Sequence, residues 1–304
     1  LFLAIARIVP IKEVAIPLTI GLLVNFLILV LSKKVIQRTK RESSFGYINM
    51  FLTLMILALI GQIGAAGGTG YAIEYCGSAI SALDMEARLT LCNLSIECGA
   101  KVGMIAPDTT TQKWLKDKPF APKGADWDDA VQYWQTLATD EGAVFDQYVT
   151  IDCQQLAPQV TWGTSPDQVM AITQTIPTAK DAKGNVQAQA WKDALAYMGL
   201  EPGQKLQGTP IQRVFIGSCT NSRLHDLRRA ASVIKGRKVA PHVVAWVVPG
   251  SEIVKEQAEA EGLDQLFKAA GFEWREPGCS LCVGANGELV APGDRCVSTS
   301  NRNF

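Results

Sequence analysis

The stretch Val-Phe-Ile-Gly-Ser-Cys-Thr-Asn-Ser at residues 214–222 decides the fold of this chain. Its first three residues form a short apolar run with β-branched side chains, which predicts a buried strand of a parallel sheet. Small and polar residues follow and predict a turn. Residues 224–235 then predict a helix that ends at Gly236. A strand, a turn and a helix in this order indicate an α/β fold.

The same pattern recurs further along the chain. Residues 243–248 predict a second buried strand, and residues 251–262 predict a helix that is capped by its first residue, a serine. The polar stretch 178–189 lacks strong periodicity and predicts an interdomain linker. Alternating strands and helices predict doubly wound α/β/α domains, which we expect at residues 56–175 and 176–304.

Composition excludes some classes of function. Lysine plus arginine and aspartate plus glutamate number 29 each, so the charge balance does not indicate a nucleic-acid partner. The chain holds eight cysteines, but disulfide-rich secreted domains are normally much shorter than 304 residues. We therefore expect reduced thiols and a cytoplasmic location, with a subset of the cysteines holding a metal.

Residues 1–55 differ from the rest of the chain and are predicted to form a hydrophobic helical segment. Residues 14–31 carry no charge and are just long enough to span a bilayer, which takes about 20 residues. Three interpretations stay open: a membrane anchor, a buried helix of the core, and foreign sequence joined to an enzyme fragment. The apolar run at residues 47–60 is short for a span and better suits a buried helix.

Three cysteines are candidate metal ligands. Cys279 and Cys282 form a Cys-x-x-Cys, a spacing that zinc sites and redox dithiols share. The sequence has no second such pair, and His225 and His242 are not spaced as metal ligands. Cys219 follows a predicted strand, and ligands bind beyond strand ends in open α/β sheets. Spacing alone leaves open an iron–sulfur cluster, a structural zinc site and buried structural cysteines.

Three separated motifs carry a resemblance to a known family. They are SCTNS at 218–222, GCSLC at 278–282 and STSNRNF at 298–304. With these motifs, residues 56–304 resemble the aconitase superfamily, and most closely its isopropylmalate isomerase branch. Supporting stretches lie at 67–80, 85–108, 161–169 and 272–279. The resemblance implies the aconitase type of α/β fold.

The resemblance implies that Cys219, Cys279 and Cys282 hold a [4Fe–4S] cluster. Cluster sites usually have four cysteines, so one iron would stay open and act as a Lewis acid on a substrate hydroxyl group. The reaction implied is that of a hydro-lyase, which interconverts 2-isopropylmalate and 3-isopropylmalate through 2-isopropylmaleate in leucine biosynthesis. The substrate is thus a small dicarboxylate, and the implied partner is a separate small subunit.

The resemblance also implies substrate-binding residues. Arg302 matches an arginine that holds a substrate carboxylate, which suits the forked donors of a guanidinium. Asn301 matches a residue near the cluster. Asn93 and Glu97 match positions that face the active site, and a spacing of four places them on one face of a helix.

No catalytic acid or base is assigned within this chain. The resemblance implies that the base comes from the small subunit. It implies that the acid comes from an early domain, which residues 1–55 do not resemble. These 304 residues alone are therefore expected to be inactive.

Other functions stay open beside this one. They are a homoaconitase-like or other hydro-lyase of the superfamily, a non-catalytic iron–sulfur binding fragment and a zinc-binding structural protein. The remaining cysteines are expected to be small buried side chains without a role in chemistry. They are Cys76, Cys92, Cys98, Cys153 and Cys296.

Overall fold

The computed structural model describes residues 3–6, 46–284 and 287–300. The uncharged stretch 14–31 and the motif residues 301–302 lie outside these ranges, so their predicted roles stay predictions. Within the described part of the chain, no helix combines the length and the apolar character needed to cross a membrane.

The described residues contain ten strands and nine α-helices. The strands are β1 (Leu3–Ala6), β2 (Ala72–Cys76), β3 (Val102–Met104), β4 (Val149–Asp152), β5 (Gln159–Thr161), β6 (Val169–Ala171), β7 (Arg213–Ile216), β8 (Val244–Val247), β9 (Glu273–Trp274) and β10 (Cys296–Ser298). The helices are α1 (Gly46–Ile63), α2 (Ser78–Ser81), α3 (Met85–Leu94), α4 (Thr109–Leu115), α5 (Ala125–Gln135), α6 (Asn185–Met198), α7 (Leu224–Ile234), α8 (Glu252–Ala260) and α9 (Leu263–Ala270). Short 3₁₀ turns lie at Ser95–Cys98, Cys153–Gln155, Ala179–Asp181 and Ser280–Cys282.

The first of two compact units contains Gly68–Gln155 together with β1. Its four-stranded sheet has the order β3-β2-β1-β4, in which β1 is antiparallel to both neighbours and β2 is parallel to β3. The predicted helical character of residues 1–55 is therefore wrong at Leu3–Ala6, which form a strand. The reason is that a short apolar run does not by itself distinguish a strand from a helix.

The second unit contains α1 and residues 156–300, and its sheet positions the candidate site. This sheet has the order β10-β7-β8-β9, with every pair parallel. The strands that residues 214–216 and 243–248 predicted are β7 and β8. The predicted α/β class with a parallel sheet is therefore confirmed.

The boundary between the units falls after Gln155, whereas the predicted domains meet at 175/176. The predicted limits stay a prediction about the domains of the protein. The linker predicted at 178–189 is wrong in part, because helix α6 begins at Asn185. Before it, the Thr178 N–H and hydroxyl donate to the Asp181 carboxylate at 2.8 and 2.9 Å. The part of α6 that overlaps the predicted linker is its polar beginning, whereas its buried residues Ala194 and Leu195 lie beyond the linker, which explains the difference.

The helices α7, α8 and α9 pack against β8 and fix the strands that lead to the candidate site. Phe267 lies at the centre of this core, edge-on to the ring of Phe272 at 5.5 Å and stacked on Trp274 at 5.8 Å. Burial of such rings is the main source of stability in a core. The buried residues of this core are Leu227, Ala231, Val247, Ala258 and Phe267.

Helix α8 begins where the sequence predicted, because the Ser251 hydroxyl accepts the Val254 N–H at 3.3 Å. We expect Ser251→Ala to lower the free energy of unfolding by about 1 kcal/mol, because one N–H at the helix start loses its acceptor. Urea titration measures the change. Ser232→Ala is the matched control, since its exposed hydroxyl only donates to Arg229 O within a helix. An equal loss in both variants would contradict the capping role.

Candidate functional site

The carboxyl ends of the four parallel strands in the second unit share one edge of the sheet, called here the carboxyl edge. Cys219 follows β7 at this edge, Cys279 and Cys282 follow β9, and Thr299 follows β10. Strand β8 lies between β7 and β9. Because ligands of open α/β sheets bind beyond such strand ends, the carboxyl edge is the candidate site.

The loop that carries Cys219 is held in place by Thr299. The Gly217 N–H donates to Thr299 Oγ1 at 3.1 Å, and the Thr299 hydroxyl donates to Gly217 O at 3.0 Å. The Thr299 N–H donates to Phe215 O at 3.0 Å, and the Asn221 side-chain amide donates to Thr299 O. These bonds join two of the three motifs, SCTNS and STSNRNF.

The Cys219 loop is also held on the side of β8. The Gly250 N–H donates to Ser222 O at 2.8 Å. A Cβ atom at Gly250 would lie 3.0 Å from Ser222 O, so the close approach of the two loops favours a glycine at this position. The Cys219 loop is therefore hydrogen-bonded to Thr299 on one side and to Gly250 on the other, while the Cys219 side chain itself is exposed.

The 3₁₀ turn Ser280–Cys282 brings the other two cysteines of the site together. The Cys282 N–H donates to Cys279 O at 2.9 Å, and the Cys279 side chain is exposed while that of Cys282 is half-buried. Ser280 lies between them with φ +47° and is only 3% exposed. Its Oγ atom has no hydrogen-bond partner in the part of the chain that the structure describes.

These residues fit an iron–sulfur cluster better than a single metal ion. All three cysteines are free thiols, and their Sγ atoms do not all lie within 4.8 Å of one another. Thiolates on one tetrahedral zinc ion, each about 2.3 Å from the metal, would be under about 4 Å apart. A cluster separates its thiolates further and accepts hydrogen bonds at its sulfur atoms, which suits the unpartnered hydroxyl of Ser280.

The remaining cysteines have properties of structural residues. Cys98 and Cys153 are fully buried, whereas Cys76, Cys92 and Cys296 are partly buried. Burial raises the pKa of Cys92 and that of Cys296 to about 11, and it also raises the pKa of Cys98. These three thiols are therefore protonated at neutral pH and are poor metal ligands.

Asn93 and Glu97 lie in the first unit. The predicted shared face of one α-helix is wrong, because α3 ends at Leu94 and Glu97 belongs to the 3₁₀ turn Ser95–Cys98. Gly99, with φ +82°, ends this turn and donates its N–H to Ile96 O, so the last turn tightens from the α to the 3₁₀ pattern. Their role in substrate binding stays a proposal, as does that of Asn301 and Arg302.

Sequence reasoning missed the roles of Thr299, Gly250 and Ser280. Thr299 stands inside a recognised motif, but its contact with Gly217 is separated by 82 residues in the sequence. A glycine after a predicted strand was a possible signal for Gly250. Nothing in the sequence marks Ser280 as a residue in a left-handed conformation, because glycine is the usual residue there.

Comparison with known proteins agrees with this site. A sequence model of the aconitase family (aconitate hydratase) matches residues 52–304. The 3-isopropylmalate dehydratase large subunit 1 of Bradyrhizobium diazoefficiens is 60% identical over 250 residues, which cover 82% of this chain and 52% of that protein. The chain thus spans about half the length of the curated relative that it matches. The chain belongs to the aconitase family.

Proposed function

We propose that this chain is part of the large subunit of a 3-isopropylmalate dehydratase. Such a hydro-lyase interconverts 2-isopropylmalate and 3-isopropylmalate through 2-isopropylmaleate in leucine biosynthesis. The observation that carries the proposal is the position of three free thiols, Cys219, Cys279 and Cys282, at the carboxyl edge of one parallel sheet. The 60% identity to a large subunit of this name supports the choice of substrate.

Cys219, Cys279 and Cys282 are the proposed ligands of a [4Fe–4S] cluster. When bound, a cluster with three thiolate ligands supplies a Lewis acid that helps a substrate hydroxyl group to leave. The residues of the chain set the positions of the thiolates. Thr299 and Gly250 hold the Cys219 loop, and the 3₁₀ turn at Ser280–Cys282 fixes the other pair.

The proposed substrate ligands act on carboxylate and hydroxyl groups. Asn301 and Arg302 lie two and three residues after Thr299, which is hydrogen-bonded to Gly217. A guanidinium fork binds a carboxylate through two parallel hydrogen bonds and so orients it. Asn93 and Glu97 are the proposed substrate-facing residues of the first unit. The base is proposed to come from the dehydratase small subunit, and the reduced thiols suit a cytoplasmic location.

The test is an assay that follows formation of the isopropylmaleate double bond by its absorbance. The reconstituted chain is mixed with a dehydratase small subunit and given 2-isopropylmalate or homocitrate in separate reactions. We expect any turnover to be selective for isopropylmalate. Without the small subunit we expect a rate near background, because a missing general base typically costs about 100- to 10,000-fold.

Each other outcome selects a different function. Faster turnover of homocitrate would replace the proposal by a homoaconitase-like hydro-lyase. No turnover of either compound is the expected result if the acid comes from the early domain, as the family resemblance implies. A retained cluster whose absorbance is also unchanged by added 2-isopropylmalate would favour a non-catalytic iron–sulfur protein.

A further inference from the structure

Ser280 has a backbone conformation that does not favour serine. Its φ of +47° lies in the left-handed region, where a Cβ atom approaches the neighbouring carbonyl oxygen. Glycine adopts this conformation without that clash, so glycine would be the less strained residue here. A serine at this position therefore carries backbone strain that a glycine would not.

Among the residues that the structure describes, none forms a hydrogen bond with the Ser280 hydroxyl. Ser280 is 3% exposed, and its Oγ atom is buried without a hydrogen-bond partner, whereas nearly all buried polar groups have one. Its carbonyl oxygen is used normally and accepts the Gly284 N–H at 2.9 Å. The Ser280 hydroxyl alone has no partner among the described residues, which is consistent with a partner in a bound group.

The same feature recurs in the other two loops of the carboxyl edge. Ser222, three residues after Cys219, is fully buried and its Oγ atom also has no partner. Ser300, next to Thr299, has a buried Oγ atom without a partner as well. Among the described residues, these three are the only serines whose buried hydroxyl lacks a partner. Each of them lies in one of the three motifs.

We propose that the hydroxyl group of Ser280, with those of Ser222 and Ser300, donates a hydrogen bond to sulfur atoms of the bound cluster or its thiolates. The inference rests on the proposed cluster and names the residues that tune it. Sulfur atoms of such clusters accept hydrogen bonds, and these bonds set the reduction potential. They stabilise the reduced cluster more than the oxidised one, because reduction adds negative charge.

Two replacements of Ser280 separate the hydroxyl from the backbone strain. Both Ser280→Ala and Ser280→Gly remove the donor, so both should lower the reduction potential of the cluster. Both should also lose the cluster to a chelator about 10-fold faster, the lower limit for loss of such a supporting contact. Without the cluster, Ser280→Gly should resist urea better than Ser280→Ala, because glycine relieves the left-handed strain.

Ser95→Ala is the matched control, because Ser95 is 1% exposed but its hydroxyl is fully used. It is paired with the Tyr75 hydroxyl at 2.7 Å and donates to Leu91 O at 3.1 Å. This variant should unfold at lower urea and keep the reduction potential of the wild type. The potentials are measured by redox titration with electron paramagnetic resonance, in the absence of substrate.

The outcomes distinguish this inference from the proposed function. Wild-type chain that takes up no iron and sulfide would refute the proposed cofactor, and the inference with it. Wild-type chain that holds a cluster, with unchanged potential and retention in both Ser280 variants, would overturn the inference alone. If the Ser280 variants do not fold, Ser222→Ala must show the lower potential and faster loss, and its failure to do so overturns the inference.

Discussion

Replacing any one of Cys219, Cys279 and Cys282 by serine is expected to abolish retention of an iron–sulfur cluster. Three thiolates are one fewer than the four that hold most such clusters, so the site has no ligand to spare. Serine preserves the size of the side chain but is a far weaker ligand for iron than a thiolate. Anaerobic reconstitution with iron and sulfide, followed by visible absorbance and by iron and sulfide analysis, measures the loss.

Cys296→Ser provides the control for this experiment. Cys296 begins β10, and burial raises the pKa of its thiol to about 11, so it is a neutral thiol at pH 7. This variant should keep the cluster content of the wild type. Tight stoichiometric binding of zinc by the wild type, with no uptake of iron, would contradict the cluster and favour a structural zinc site.

The second large effect is expected at Asp108, the partner of a buried arginine in the first unit. Arg88 is 3% exposed and donates to both carboxylate oxygens of Asp108 at 2.7 Å. Its other donors reach the carbonyl oxygens of Ser81 at 3.0 Å and Leu83 at 3.2 Å. Four of the five N–H groups of this guanidinium on α3 therefore donate hydrogen bonds, but Asp108 is the only counter-charge among their acceptors.

Asp108→Ala should lower the free energy of unfolding by about 3 kcal/mol, because it leaves a buried guanidinium without its counter-charge. This loss is at the lower end of the range known for buried ion pairs that lose one partner, because the Asp108 side chain is 38% exposed. Urea titration followed by tryptophan fluorescence measures it. Glu261→Ala, which removes the partner of the exposed Arg228, is the control and should cost less than about 1 kcal/mol.

The contribution of Asp108 should also depend on pH. Burial alone would raise the pKa of Asp108, but hydrogen bonds from Arg88 and from the Thr111 and Thr110 N–H groups outweigh it and lower the pKa. A lowered folded-state pKa stabilises the protein above the unfolded-state pKa of about 3.9. The stability difference between wild type and Asp108→Ala should therefore shrink as the pH falls below about 4. A difference that stays constant at lower pH would show that charge is not its cause.

The sequence predicted the parts of the structure that depend on local patterns. The β-branched run at 214–216 identified β7, and the rule for strand ends then placed Cys219 at a ligand-binding edge. The start of α6 was mistaken for a linker because Asn185, Gln187 and Gln189 make its beginning polar, while the apolar positions that pack the helix come later. The 3₁₀ turn that contains Glu97 depends on the conformation of Gly99, which a spacing rule does not capture.

Contacts between distant residues were beyond prediction from the sequence. The bonds between Thr299 and Gly217 join residues that are far apart in the chain, so no local pattern reveals them. The lack of a hydrogen-bond partner for the Ser280 hydroxyl among the described residues can be seen only in the structure, because it depends on which atoms surround that hydroxyl. Motif positions could therefore be predicted, but not the contacts that hold the motifs in place.

The position of β10 at the edge of the parallel sheet has a consequence for synthesis of the protein. Strand β10 pairs with β7, and Thr299 bonds to Gly217 across 82 residues of sequence. At about 5–20 residues per second, Gly217 is therefore made on the order of ten seconds before Thr299. Throughout that interval the nascent Cys219 loop lacks its bonds to Thr299, so the loop reaches its folded position only after β10 has been made.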